Sequence, residues 1–177
     1  MQMKSSSKLI EFITQYEQIH DGSLTMIGLQ PKPDAVGIWT TGYGHAMIIN
    51  GEFATIRKFQ TLESILPYNK INTIDDAKNQ LAIDITKFEN TVNRNITRVL
   101  TQNEFDALVS FCFNCGFSQN LFKLVNLNNN KIAIKNFWTN NYIKAGGKVL
   151  KGLQYRRADE YEMYSMSDYN RDYKLSI

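Results

Sequence analysis

The sequence is short of the residues that build redox, metal and nucleic-acid sites. It has two histidines and two cysteines, and their spacing forms no recognisable zinc ligand set. Cys112 and Cys115 do make a Cys-x-x-Cys, but a thioredoxin-like site needs a βαβ setting and an exposed helix N-terminus, and neither is here. Packed free thiols are expected instead, because cysteine behaves as a small hydrophobe in a core. Twenty basic against seventeen acidic residues leave a net charge of +3, too little for a dedicated nucleic-acid binder but suited to a polyanionic envelope. The stretch Met1 to Ser7 has no apolar run long enough for an export signal or a membrane anchor. A soluble chain made in the cytosol, with no stable membrane insertion, is the expectation. Internal repeats, low-complexity tracts and flexible linkers are missing too, and no cofactor or metal is expected.

What is present is enough apolar material for one real core: 177 residues, 43% hydrophobic, fit a single domain, perhaps in two lobes. The first pattern is a helix over residues 8–20, where Leu9, Phe12, Ile13, Tyr16 and Ile19 fall on one apolar arc. Glu17 lies inside the edge of that arc, whereas Glu11, Thr14, Gln15 and Gln18 occupy the polar side. A carboxyl beside apolar neighbours is harder to ionise, and the negative end of the helix dipole, expected near Gly22, acts in the same direction. That is what a general acid needs.

The second pattern is Asp34-Ala-Val-Gly-Ile-Trp-Thr-Thr-Gly-Tyr-Gly-His45. An acid, a glycine-permitted turn, then β-branched and aromatic residues closed by two glycines predict a loop entering a tight hairpin. Asp34 and Thr40 flank the turn and together can hold a water, the carboxylate accepting its proton and the hydroxyl fixing a second direction. One protonated acid facing one water-holding pair is the requirement of glycosidic hydrolysis. Taken singly, each residue has a plainer reading. Glu17 would be a solvated helix edge, Asp34 a turn residue and Thr40 a β-former.

These residues carry a family resemblance. Glu17 followed by Asp34-x-x-Gly37-x-x-Thr40-x-Gly42-Tyr43-Gly44-His45 resembles the signature of the phage-type lysozymes, the T-even and lambdoid endolysins. Leu100 to Gly116 is similar to the family's central helix, and Ala145 to Arg157 to its C-terminal segment. The resemblance implies an α+β, mostly helical lysozyme-like fold. It would be one domain over 1–177, with a β-containing lobe at about 20–72 and a helical lobe at about 73–177 on which the first helix packs. It further implies an N-acetylmuramidase that inverts the anomeric carbon of peptidoglycan, with Glu17, Asp34 and Thr40 as catalytic residues. Phe113 and Asn114 become substrate contacts, and His45 a structural support that pairs with a carboxylate across the hairpin. A monomer made in the host cytoplasm, which reaches the wall through a holin-type pore, completes what the family implies. Two departures stand out: Gln18 follows Glu17 where the family has glycine, and His20 to Pro33 is a longer connection than usual. The second leaves Asp21 as an alternative carboxylate, although the spacing from Asp34 to Thr40 matches the family.

Further on, the Asn50-Gly51 pair between apolar runs predicts a type I′ turn and, with the preceding hairpin, a small antiparallel sheet between about 23 and 60. Residues 61–72 are left unassigned. Thr73, Asp75 and Asp76 start a long helix carrying Ala77, Leu81, Ile85, Phe88 and Val92. Thr101-Gln-Asn-Glu104 is a capping box opening a core helix that Gly116 ends. Short helices follow over 117–127 and 131–142, with Trp138 as a core residue rather than a sugar platform. Gly146-Gly147 breaks the chain before a last helix over 153–163, where Arg156 and Arg157 read as a solvated or ion-paired surface, with binding of anionic stem peptides as the other use. Three rival functions stay open: a lytic transglycosylase on the same scaffold, a non-catalytic peptidoglycan-binding module, and a thiol redox protein.

Overall fold

Residues 2–17 and 29–173 are described by the computed structural model. Helices dominate and the strands are short and antiparallel, as an α+β chain requires. Two compact units emerge, Thr14–Asp84, and Met1–Ile13 together with Ile85–Ile177.

Helix α1, Ser7–Tyr16, buries Leu9, Phe12 and Ile13. Glu17 stands just beyond it in non-helical backbone, and residues 18–20, over which the helix was expected to continue, lie outside the described residues. Asp21, Gly22 and most of the long connection lie outside the described residues.

In the Thr14–Asp84 unit, β1 (Lys32–Pro33), β2 (Trp39–Thr41) and β3 (His45–Ala46) form one sheet, and β4 (Ile48–Ile49) pairs with β5 (Glu52–Phe53) in a second. The expected single sheet is thus two small ones, linked by an isolated bridge between Ile38 and Thr55. The β4–β5 turn is the Asn50-Gly51 pair, with φ of 52° and 83°, the double left-handed geometry that a type I′ turn demands. Trp39, Met47, Ala54 and Ile65 form the buried centre, flanked by Ile49, Phe59 and Leu62. The unassigned stretch contains α2, Leu62–Ile65, capped by Thr61 and continued by a 3₁₀ turn over Leu66–Tyr68. Elements of one turn carry no periodicity to read.

Helix α3, Ile74–Asn95, starts as expected. Thr73 Oγ1 accepts the Asp76 amide at 3.0 Å, and Asp76 Oδ2 accepts the Thr73 amide at 3.0 Å, satisfying two N-terminal donors. Its buried stripe runs through Ala77, Leu81, Ile85 and Val92, and Glu89 is buried with them.

In the other unit, α4 (Gln102–Cys115) opens on the Thr101–Glu104 capping box, with the Thr101 amide donating to Glu104 at 2.9 Å. Every residue from Phe105 to Cys112 is buried, so α4 is the central element of its unit. It is followed by α5 (Gln119–Leu127), α6 (Lys131–Asn140), the β6–β7 hairpin (Lys144–Ala145 with Lys148–Val149) and α7 (Lys151–Met166). Asn130 caps α6 through the Ala133 amide at 2.9 Å. Trp138 is fully buried and packs edge-on against Phe111, with ring centroids 5.7 Å apart. The N-terminal segment is bound into this unit. The Met3 amide donates to Asn93, that of Ser5 to Glu89 at 2.8 Å, and that of Ser6 to Asp106 at 3.1 Å. These bonds satisfy two carboxylates that would be costly to bury alone.

The charged face of α7 is where the fold departs most from expectation. Arg156, Arg157, Asp159, Glu160 and Glu162 are all buried, so they make no solvated surface and offer none to stem peptides. Arg156, Arg157 and Glu160 are tolerated inside because they pair with one another and with groups on neighbouring helices. Glu160 accepts from Arg157 at 2.8 Å and Arg156 at 3.3 Å on its own helix. It also accepts from Ser110 at 2.8 Å and from the Trp138 indole at 3.3 Å.

Candidate active site

Asp34 sits where β1 turns toward β2, and the turn is built around its side chain. Oδ1 accepts the amides of Val36 at 2.9 Å and Ile38 at 2.8 Å, while the Gly37 amide reaches the Asp34 carbonyl at 3.0 Å. An aspartate bonding amides two and four residues on is the physical basis of such turns. Oδ2 takes part in none of these bonds. The residue is exposed.

Thr40 pairs with Lys32 in the β1–β2 ladder, two residues before Asp34 in sequence. Trp39 and Thr41 on either side are buried while Thr40 is only partly so, so strand alternation turns Thr40 to the opposite face from the core. The Thr40 hydroxyl donates to the Lys32 carbonyl at 2.9 Å. Its proton is therefore committed, and its lone pairs remain to accept.

The strand beneath is held stiffly. The Trp39 indole donates to the Phe59 carbonyl at 2.8 Å, and the Trp39 amide to Ala54 at 2.8 Å. Thr41 Oγ1 donates to Asn69 Oδ1 at 3.1 Å, and Asn69 in turn donates to the carbonyls of Leu29 and Ile71. The β2–β3 turn passes through Gly42 at φ 59°, a backbone conformation that favours glycine, and a Cβ there would lie 2.8 Å from Ile71 Cδ1 and push the end of that side chain aside.

His45, opposite Thr41 in the β2–β3 ladder, has Nδ1 2.9 Å from Oδ2 and 3.1 Å from Oδ1 of Asp84. The carboxylate comes from α3, not from across the hairpin as its sequence position suggested. Gln80, one turn earlier, donates to Asp84 at 3.0 Å. Asp84, Gln80 and Asn69 were missed from sequence. Nothing along a linear chain links positions 39 and 28 residues apart from the hairpin they support.

Glu17 is half-buried and belongs to the same unit as Asp34 and Thr40. Phe113 and Asn114 end α4 in the other unit. Phe113 meets Phe88 edge-on with centroids 5.5 Å apart. Asn114 is exposed, with Oδ1 3.0 Å from Arg157 Nη2. The two thiols are free. Burial, then the charge of Glu160 and the neighbouring Cys115, push Cys112 up to about 12. Burial also raises Cys115, against the opposing charge of Arg157. Neither thiol has the lowered value of a reactive cysteine. Among the described residues one carboxylate cluster has the types to hold a metal ion, Asp159, Glu162 and Asp172, with ligand atoms within 4.8 Å of one another. Asp159 also accepts the Tyr173 amide at 2.9 Å.

The comparisons with known proteins agree with one another. The family model described as phage lysozyme matches residues 25–160. The endolysin of Bacillus phage PZA is 32% identical over 133 residues, which cover 72% of this chain and 44% of that protein. The solved endolysin from Escherichia coli O157:H7 phage FAHEc1 matches with a TM-score of 0.70 at 28% identity, covering 96% of this chain and 98% of that one. The muramidase domain of SpmX from Asticaccaulis excentricus matches at 0.67 and 28% identity, covering 92% and 98%. The chain spans from 35% to 56% of the length of the first curated relatives it matches.

Proposed function

The chain belongs to the phage lysozyme family, and from that premise we propose that it is an endolysin, a glycoside hydrolase that cuts the β-1,4 bond between N-acetylmuramic acid and N-acetylglucosamine in peptidoglycan. Glu17, protonated, gives its proton to the leaving glycosidic oxygen. Asp34 and Thr40 hold a water on the opposite face of the sugar. The observation that carries this reading is the division of bonds on the hairpin. Asp34 Oδ1 is occupied by two turn amides and the Thr40 proton by the Lys32 carbonyl. Asp34 Oδ2 and the Thr40 lone pairs are then two acceptors for the two protons of one water, whose own lone pair is left to attack the anomeric carbon. As the water attacks, its proton passes to Asp34, the bond to the leaving oxygen breaks and the configuration at the anomeric carbon inverts.

Phe113 and Asn114 are the substrate contacts in this reading, and His45 supports the hairpin from behind. Among the described residues no helix is long and apolar enough to cross a membrane. A monomer made in the host cytoplasm and admitted to the wall by a holin-type pore is the route we propose with it.

The test is mass spectrometry of muropeptides released from purified peptidoglycan by the wild type and by Glu17→Gln. Hydrated N-acetylmuramic acid reducing ends from the wild type alone support the muramidase. Anhydro ends reassign it as a transglycosylase, and binding without any product reassigns it as a wall-binding module.

A further inference from the structure

The exposed end of α4 is tied to the most deeply buried charge cluster of its unit. Arg157 is fully buried, and its guanidinium lies over the Phe111 ring, 5.1 Å from the centroid. Nη2 donates to Glu160 at 2.8 Å and to Asn114 Oδ1 at 3.0 Å, while Nη1 donates to Cys115 Sγ. The Cys115 thiol in turn donates to Asn114 Oδ1 at 3.5 Å. Because burial raises Cys115, the thiol keeps the proton this bond uses. Glu160, fully buried itself, is fixed by Ser110 and Trp138.

A guanidinium has five donors and no acceptor. The Asn114 amide next to it can present only its oxygen, so the amide cannot flip. Both Nδ2 hydrogens are then directed away from the Arg157 cluster on a residue that is exposed to solvent. We propose that Arg157 is a positioning residue that fixes Asn114 as a pure hydrogen-bond donor toward an amide carbonyl oxygen of the substrate. This rests on the peptidoglycan reading given above. In that polymer an amide carbonyl comes from the acetamido groups of the sugars or from the stem peptides. Asn114 bonded this way holds the substrate equally before and during the reaction, so its loss raises KM and leaves kcat nearly unchanged.

Asn114→Asp is the discriminating variant. One carboxylate oxygen takes over the bond to Arg157, and the other offers an acceptor where a donor stood. Hydrolysis is measured for the wild type, Asn114→Asp, Asn114→Ala, Arg157→Lys and the double variant Arg157→Lys/Asn114→Ala. The substrates are intact peptidoglycan, the same glycan stripped of stem peptides, and the stripped glycan after N-deacetylation. Asn114→Asp is expected to raise KM about tenfold with kcat within about twofold, and to keep the thermal midpoint of the wild type. A KM increase that survives stripping but vanishes on deacetylation assigns the acetamido carbonyl. One that vanishes on stripping assigns the stem peptide. Arg157→Lys is expected to raise KM in the wild type and to have no further effect in the Asn114→Ala background. An unchanged KM for Asn114→Asp on all three substrates overturns the proposal, as does an Arg157→Lys effect that simply adds to that of Asn114→Ala. A wild type that yields no reducing ends sinks the hydrolase reading instead. Calorimetric binding of soluble glycan strands that keep their stem peptides to the wild type and Asn114→Asp then decides the amide contact, weaker binding by the variant supporting it and equal binding overturning it.

Discussion

His45 Nδ1 and Asp84 Oδ2 face each other at 2.9 Å across the gap between β3 and α3, with Gln80 bonded to the same carboxylate. Both partners are about a quarter exposed, so solvent screens the pair in part. Asp84→Asn should lower unfolding free energy by about 1–2 kcal/mol. Denaturant titration of Asp84→Asn, His45→Gln and the double variant checks it. Effects that add without coupling would show that the two side chains do not hold the hairpin together.

In the proposed mechanism Asp34 has two separable jobs, and two substitutions divide them. Asparagine keeps an oxygen for the Val36 and Ile38 amides but cannot accept a proton from water. Asp34→Asn should therefore retain the thermal midpoint and lose about 10²–10⁴-fold in kcat. Asp34→Ala should lose the turn as well as the activity. If Asp34→Asn remains active, Asp34 is not the base.

Removing the carboxylate at position 160 strands buried cations. Glu160→Leu leaves Arg157 and Arg156 without their shared partner and should cost about 3–5 kcal/mol. Glu160→Gln, which retains an acceptor for Arg157 and Ser110, should cost clearly less. Urea unfolding of the two variants gives the comparison. Equal costs would mean that shape rather than charge is what the site requires.

Glu89 links the N-terminal segment to acid stability. Burial is the largest influence on its carboxyl and opposes ionisation, but the Ser5 amide and the Lys4 ammonium together outweigh it and hold the group below the ordinary value of 4.5. A carboxyl lowered on folding contributes stability in full above its unfolded value and loses it as pH falls through the folded one. The gap in unfolding free energy between the wild type and Glu89→Gln should thus be widest near neutral pH and close progressively below about pH 4.5. A gap independent of pH would overturn the role assigned to this carboxylate.

Much of this fold can be read along the chain wherever a local rule decides the outcome. Thr73 with Asp76 and Thr101 with Glu104 announced α3 and α4 because capping is settled within four residues. Asn50-Gly51 announced its hairpin because few residues adopt two positive φ values in succession. The α7 segment Arg157-Ala-Asp-Glu-Tyr-Glu162 misled for the opposite reason. Its charges look solvated until Ser110, Asn114 and Trp138, distant in sequence, arrive to bond them. The site divides in the same way. Asp34 and Thr40 were legible as two flanks of one turn, but Asp84 and Asn69, which bond the next hairpin at His45 and Thr41 from other elements, were not.

The bonds from Ser5 to Glu89 and from Ser6 to Asp106 also bear on the order in which the protein is made. On a ribosome, α1 emerges well before the helices whose carboxylates its leading residues satisfy. The unit made of Met1–Ile13 and Ile85–Ile177 is discontinuous in sequence, so it cannot close until most of the chain is out, while Thr14–Asp84 can complete itself earlier. Once that inserted unit is compact, the loop separating the two halves is effectively shorter and less entropy is lost in joining them. A defect in the hairpin unit would then be felt twice, first in its own stability and again as a slower closure of the helical unit during synthesis.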